Sequence, residues 1–271
     1  MSNDSLGDRM KEYESRTDVF LLPLIPVMAR MDGRSFHTFT AGLERPYDKR
    51  LSELMVETTK FMVAETNARC GYCQSDEITL VWLSEEIDSQ IFFDGRVLKM
   101  VSILAAITSS YFNKRLAEFL PEKADQMPVF DARVWNVPTE WEATNSFIWR
   151  EQDATRNSLS MAAQAYYSHE ELHGKSGADK HELLFQKGIN WNDYPYFFKR
   201  GTYARRREVK TRFTTEELAS LPPKHAAHTN PNLEIKRTAV MAEVDFPPLV
   251  KIANREGVII HGEAPVLRTE D

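Results

Sequence analysis

The chain has little cysteine: Cys70 and Cys73 are the only two. Two thiols cannot build a disulfide framework, and they fit a reducing, cytoplasmic setting. Residues 1–14 are mainly polar and carry no apolar signal-peptide core, so a soluble, intracellular protein is expected. Long hydrophobic runs are absent too. The run Val19–Ala29 carries two prolines and falls short of the ~20 apolar residues a membrane-spanning helix needs. There is no excess of positive charge: the formal net charge is −6. A nucleic-acid partner would therefore have to be met by local basic patches, because the whole-protein field is negative. No internal repeat and no low-complexity tract interrupts the chain.

What is present describes an ordinary folded protein. Of 271 residues, 42% are hydrophobic and 27% charged, which excludes disorder across the body of the chain. The length allows one large domain or a domain with a modest appendage. Ile25–Asp32 reads as a buried strand ending in a carboxylate, and Gly33 breaks it. Asp48 is a plausible N-cap for a helix from Lys49, with Leu51, Leu54, Met55, Thr58 and Met62 on one face. Arg69–Cys73 and Ile78–Leu83 read as two strands joined at Gln74-Ser75-Asp76-Glu77. A helix over about 97–119 ends at Pro121; Met100, Leu104, Thr108 and Tyr111 form its packing stripe. A strand follows at Val129–Val134, and another helix begins near Thr139.

This order predicts an α+β fold: a split β-α-β, ferredoxin-like antiparallel sheet with helices on one face and the other face open. Residues 1–213 are expected to form this domain with helical additions, and residues 214–271 a C-terminal extension.

In such a sheet, the end of the first strand and the hairpin bend lie side by side. Asp32 and Asp76 would converge there, and two carboxylates repel unless a cation joins them. Oxygen-only ligands suit Mg²⁺, which keeps several waters and shares phosphate oxygens with substrate. Two ions ~4 Å apart would activate an attacking hydroxyl and neutralise a leaving pyrophosphate. On spacing alone a plainer alternative stands beside this one: Asp32-Gly33 opens a turn and Asp76-Glu77 caps a hairpin. The segment Gly33-Arg34-Ser35-Phe36-His37 adds weight to the metal-nucleotide reading without closing the alternative. Its glycine allows close backbone approach to a phosphate, and successive N–H groups can cradle an anion.

Met31-Asp32-Gly33-Arg34-Ser35-Phe36-His37-Thr38-Phe39 resembles the D-G-R-x-F-H-x-F signature of the tRNA(His) guanylyltransferase-like family. Gln74-Ser75-Asp76-Glu77 resembles its Q-S-D-E hairpin, and Phe130-Asp131-Ala132-Arg133 its F-D-x-R strand. Trp149-Arg150-Glu151-Gln152-Asp153 is similar to W-R-Q-x-D. Gly188–Asn192 and Phe198–Thr202 are similar to N-Y-N and R-K-G-T. The matches keep family order over about residues 18–207.

The resemblance implies a polymerase-like palm that adds nucleotides to an RNA 5′ end in the 3′-to-5′ direction, after activation by ATP or GTP. It implies two Mg²⁺ held by Asp32, the Gly33 carbonyl and Asp76, with the adjacent Glu77 either supporting those ligands from behind or serving as an additional carboxylate. The backbone of Gly33, Arg34, Ser35, Phe36 and His37, together with Ser75, would hold a nucleoside triphosphate. Arg96, Lys99 and Arg133 are candidates for phosphate contacts, and Asn157 for the nucleotide. Family members are usually tetramers, so a homotetramer is expected. One departure matters. Where dedicated guanylyltransferases carry H-I-N-N-L-Y-N, this chain has Ala154-Thr155-Arg156-Asn157-Ser158-Leu159. That favours the branch that repairs 5′-truncated tRNA against an opposing strand. Alternatives are addition of a single guanosine to tRNA(His), a nucleotide cyclase on the same palm, or a non-catalytic RNA-binding module.

Other motifs weigh less. Residues 199–212 carry seven basic side chains and one acidic; Lys199, Arg200, Arg205, Arg206 and Arg207 are candidates for RNA contact, against a solvated charged segment. His169-Glu170-Glu171-Leu172-His173 matches the zinc-protease pattern H-E-x-x-H, yet Ser168 with Glu171 reads as a capping box and Gly174 stops the helix. Gly174-Lys175-Ser176 lacks the first glycine of a P-loop. The single C-x-x-C reads as structural thiols within a strand. Trp135, Trp141, Trp149 and Trp191 read mainly as core, with room for one to stack on a base.

Overall fold

In the computed structural model, which describes residues 5–230 and 232–269, the elements run α1 (Leu6–Ser15), β1 (Val27–Gly33), α2 (Phe36–Phe39), α3 (Lys49–Glu65), β2 (Cys70–Gln74), β3 (Glu77–Trp82), α4 (Val97–Phe119), β4 (Phe130–Asn136) and α5 (Glu140–Gln164). Then follow α6 (His169–Leu172), α7 (Gly177–Gln186), α8 (Tyr196–Arg200), β5 (Thr202–Arg212), α9 (Thr215–Ser220), α10 (Ala226–Thr229), β6 (Glu234–Ala242) and α11 (Arg255–Ile260). The six strands make one sheet of order β4-β1-β3-β2-β5-β6, antiparallel at every pairing. The first four strands with α3 and α4 are the expected split β-α-β arrangement.

Local chemistry sets the helix starts. Asp48 accepts the Arg50 N–H at 3.0 Å, and Thr139 accepts the Glu142 N–H at 3.2 Å. Both satisfy donors that a helix start leaves free. On α4, Met100, Leu104, Thr108, Phe112 and Leu116 are buried at helical spacing, while Tyr111 stacks on Phe61 at 4.0 Å.

β1 alternates between two cores, as the two-residue repeat of a strand requires. Val27, Ala29 and Met31 face the cluster under α3 and α4; Met28 faces the other. The second sheet face is therefore covered. Cys70, Tyr72, Val81 and Tyr203 there pack on Phe147 of α5 and on Phe246, Leu249 and Val258–Ile260. Leaving such side chains to water would cost roughly 2 kcal/mol each, and the helical and C-terminal additions remove that cost. The boundary expected at residue 213 falls inside the β5–β6 hairpin, which pairs continuously from Ala204↔Ala242 to Arg212↔Glu234. The later residues thus supply the sheet's sixth strand.

α6 is four residues long, and Glu171 and Ser168 form the capping box there, with Ser168 N–H on Glu171 at 2.7 Å. Both cysteines are free and buried. Burial pushes the Cys70 thiol up to about 12 and that of Cys73 to about 11. No described helix is long and apolar enough to cross a membrane.

Candidate active site

β1 and the β2–β3 hairpin bring the two acids together. Asp32 stands opposite Glu77 on β3 and opposite Asp131 on β4. The Gly33 N–H donates to the Asp76 carbonyl at 3.1 Å, and the Arg34 N–H to that of Val129 at 2.9 Å. Ser75 adopts a left-handed φ of 50° to make the tight bend. Asp76 is half-buried. Burial, first, and the Asp32 charge push its carboxyl up, against a hydrogen bond from Ser75 that pulls it down. No ion pair to Asp32 or Asp76 occurs among the described residues.

The turn after Asp32 is built by close packing. A Cβ at Gly33 would lie 2.2 Å from Phe36 Cδ2, so only glycine lets the chain fold over this ring. Phe36 is buried against Phe39 at 5.0 Å and Phe130 at 5.1 Å. Ser35 precedes it at φ 55°. The loop thus turns its backbone outward while Phe36 anchors it from below.

Beside the loop lies a cavity of about 550 Å³, within the ~300–1,000 Å³ of small-molecule sites. Of the residues singled out in the sequence, Gly33, Ser35, Phe36, His37, Ser75, Asp76 and Asn157 line it. Sequence reasoning missed most of the other walls, among them Glu44–Asp48, Gln74, Ala154, Ser158, Met161, and Phe197 and Phe198 of α8. Pro46-Tyr47-Asp48 was legible as a helix start. That Tyr47 packs on Phe198 at 4.7 Å is a long-range contact with no local signal.

The other sequence-predicted residues fall elsewhere. Neither the half-buried Asp32 nor the exposed Arg34 lines the cavity wall. Arg96 lies against Phe20, with its guanidinium 5.5 Å from that ring and 3.8 Å from Asp18; Lys99 lies over Phe93. Both are at the far end of β1, roughly 20 Å from Asp32 at ~3.3 Å per strand residue. The cause is topological: β3 runs away from the hairpin, so α4 starts at the opposite end of the sheet. Arg133 shares the Asp32 face of the sheet and pairs with Asp131 at 3.7 Å. Glu77 is buried, and both its oxygens are held by Arg150, at 2.6 and 2.7 Å.

The basic run divides. Arg205 is 1% exposed and bonds the Glu263 carbonyl. Arg206 bonds the Val63 and Ala68 carbonyls, and Arg207 pairs with Glu243. Arg205 is enclosed by protein, contrary to the RNA-contact expectation, because β5 is an inner strand here; Arg206 and Arg207 are tied to protein groups but stay half-exposed. Lys199 bonds the Asn192 carbonyl and Arg200 lies over Tyr196; both remain half-exposed.

Among the described residues, no three or more His, Cys, Asp or Glu side chains converge as a closed metal cage. Asp76 and Gly33 in the cavity wall, with the adjoining Asp32 carboxylate, offer the open, all-oxygen set that Mg²⁺ takes when phosphate oxygens complete its shell.

A ferredoxin-like palm with paired acids at the rim of a ligand-sized cavity defines the nucleotidyltransferase class of polymerase-palm enzymes. Within that class the chain belongs to the tRNA(His) guanylyltransferase family. The family's tRNAHis guanylyltransferase profile matches residues 7–138 and its Thg1 C terminal domain matches residues 145–246. A tRNA(His) guanylyltransferase of Debaryomyces hansenii is 31% identical over 211 residues, 71% of this chain and 77% of that protein. An uncharacterized protein of Acanthamoeba polyphaga mimivirus is 29% identical over 77% of this chain and 80% of its own length. Among solved structures, a bacterial tRNA(His) guanylyltransferase (Thg1)-like protein in complex with ATP superposes with a TM-score of 0.74 at 31% identity, covering 95% of this chain and 98% of that one. A GTP complex gives 0.69 at 30% identity, covering 92% and 95%.

Proposed function

We propose that the protein extends the 5′ end of truncated tRNA, adding nucleotides 3′-to-5′ against the opposing strand. The observation that carries this is the meeting of the Asp32 strand end with Asp76 through the Gly33–Asp76 backbone bond, with Gly33 and Asp76 in the wall of the cavity beside the Gly33–His37 loop. With the Gly33 and Arg34 N–H groups engaged, those of Ser35, Phe36 and His37, together with Ser75, hold the triphosphate, and Asn157 and the α8 aromatics face the rest of the nucleotide. Asp32, the Gly33 carbonyl and Asp76 would hold two Mg²⁺, which would supply a lowered pKa for an attacking hydroxyl and positive charge against the leaving group. The incoming nucleotide's 3′-oxygen bonds to the activated 5′-phosphorus as pyrophosphate, or AMP after adenylylation, departs. ATP and GTP complexes of the bacterial relatives support either as activating nucleotide. The Ala154–Leu159 segment supports repair over single-guanosine marking. A cytoplasmic homotetramer is part of this reading, and sedimentation tests it.

The test is incorporation of labelled NTP into tRNAs lacking 5′ nucleotides, with full-length tRNA(His) alongside and with an RNA-free incubation examined for cyclic product. Mg²⁺-dependent extension of truncated tRNA is expected. Exclusive labelling of tRNA(His), or cyclic nucleotide alone, overturns the reading.

A further inference from the structure

Arg150 is 7% exposed, one residue from the exposed Trp149, and it reaches off α5 to the strand that follows Asp76. Its Nε and Nη2 grip both Glu77 oxygens, and Nη2 also donates to Asp153 at 3.0 Å. Asp153 in turn accepts from Asn157 Nδ2 at 3.3 Å. A fork of this kind fixes orientation at two points. A buried ion pair is a poor source of net stability, because desolvation offsets most of its attraction. Its placement beside the Asp76 bend therefore calls for a geometric explanation.

Helical spacing supplies one. Arg150, Ala154, Asn157 and Met161 recur at three- and four-residue intervals, so they share one stripe of α5. Ala154, Asn157 and Met161 form a wall of the nucleotide cavity. The stripe that closes the cavity is the one that holds the hairpin. We propose that Arg150 is a positioning residue: through Glu77 it braces the Asp76 hairpin, and through Asp153 and Asn157 it sets the distance from the carboxylates to the nucleotide wall. This deepens the reading of the site as a metal-assisted nucleotidyltransferase and rests on it. It also recasts Glu77, whose oxygens are both engaged, as the anchor of the brace, with no free donor for a metal.

The test is a double-mutant cycle with Arg150→Gln, Glu77→Gln and both together, plus Arg150→Lys, each checked for fold by circular dichroism. Mn²⁺ affinity is read by electron paramagnetic resonance and ATP affinity by titration. Arg150→Gln is expected to weaken Mn²⁺ binding about 10- to 100-fold, the usual effect of losing a group that orients metal ligands, and to weaken ATP binding with it. Glu77→Gln should match it, the double variant should be no worse than the worse single, and Arg150→Lys should restore part of the loss. Unchanged Mn²⁺ and ATP affinities in folded Arg150→Gln, or losses that multiply in the double variant, overturn the proposal. Wild-type protein that binds Mn²⁺ and ATP but extends no RNA would sink the functional reading alone. If the wild type binds no Mn²⁺, the same cycle read in ATP affinity decides.

Discussion

The carboxylate of Glu151, on α5, accepts the backbone N–H of Leu249 at 3.1 Å, across 98 residues of sequence. The same oxygen accepts from Tyr203 at 3.3 Å. Burial pushes this carboxyl up to about 7, against the pull of the Leu249 N–H, Arg200 and Tyr203. Its folded pKa is thus raised above the 4.5 or so of an unfolded glutamate. Its contribution to stability is fully present below that value and is lost as pH rises through 7. The whole effect is on the order of 3 kcal/mol at ~1.36 kcal/mol per pKa unit. Glu151→Gln keeps an acceptor and removes the titration. Urea unfolding at pH 5 and pH 8 should show the wild type losing stability relative to this variant; parallel behaviour of the two would refute the assignment.

Gly33→Ala should damage the nucleotide site more than the fold. The added Cβ would press into the Phe36 ring at 2.2 Å, and overpacking of this kind costs about 1–3 kcal/mol. Phe36 is locked among Phe39, Phe112 and Phe130, so the loop must move instead. We expect a modest drop in melting temperature and a loss of ATP binding of tenfold or more. ATP titration at wild-type affinity would contradict the packing argument.

Much of this arrangement was legible in the sequence, for local reasons. The helix at Lys49 announced itself by its cap and its stripe, and the Asp32 strand by an apolar run that a glycine stops. Paired acids at strand ends were legible as well, because the order of elements fixes which strand ends adjoin. What was not legible depends on chain segments far apart in sequence. Arg96 and Lys99 are positive and start a helix, but only the direction of β3 reveals that this helix begins at the wrong end of the sheet. Arg205 reads as a surface cation until β6 and the Glu263 carbonyl enclose it. The Arg150–Glu77 fork spans 73 residues, and no spacing rule anticipates it.

Asp76→Asn should stabilise the metal-free protein. The wild-type carboxylate is half-buried, with burial and then the Asp32 charge opposing its ionisation, so the neutral amide relieves both costs. Mg²⁺ should raise the melting temperature of the wild type by mass action and leave that of Asp76→Asn unmoved, while incorporation by the variant is lost. A melting temperature that responds equally to Mg²⁺ in both proteins would exclude Asp76 as a ligand.

Cys70 and Cys73 should resist thiol reagents in the native protein at pH 8. Both are buried, with thiols pushed far above that pH, and the thiolate is the reactive form. Labelling should appear only with denaturant. Rapid labelling of the folded chain would mean that β2 opens, and it would revive a redox role for the pair.

Substitutions in the basic run should separate stability from RNA contact. Arg205 lies over Phe246, with its guanidinium 5.5 Å from that ring, bonds the Glu263 carbonyl and approaches Glu243. Removing it opens a gap in the core and frees the C-terminal residues it holds, so Arg205→Ala should cost about 3 kcal/mol. It neutralises no phosphate, so the salt dependence of tRNA binding should keep its slope in any folded fraction. Arg200→Ala, at the half-exposed C-terminal end of the cavity helix α8, should leave stability nearly unchanged and lower that slope by about one. Filter binding of tRNA across a salt series, with melting curves of the same samples, distinguishes the two. A reduced slope for Arg205→Ala at full folding would return that residue to the RNA surface.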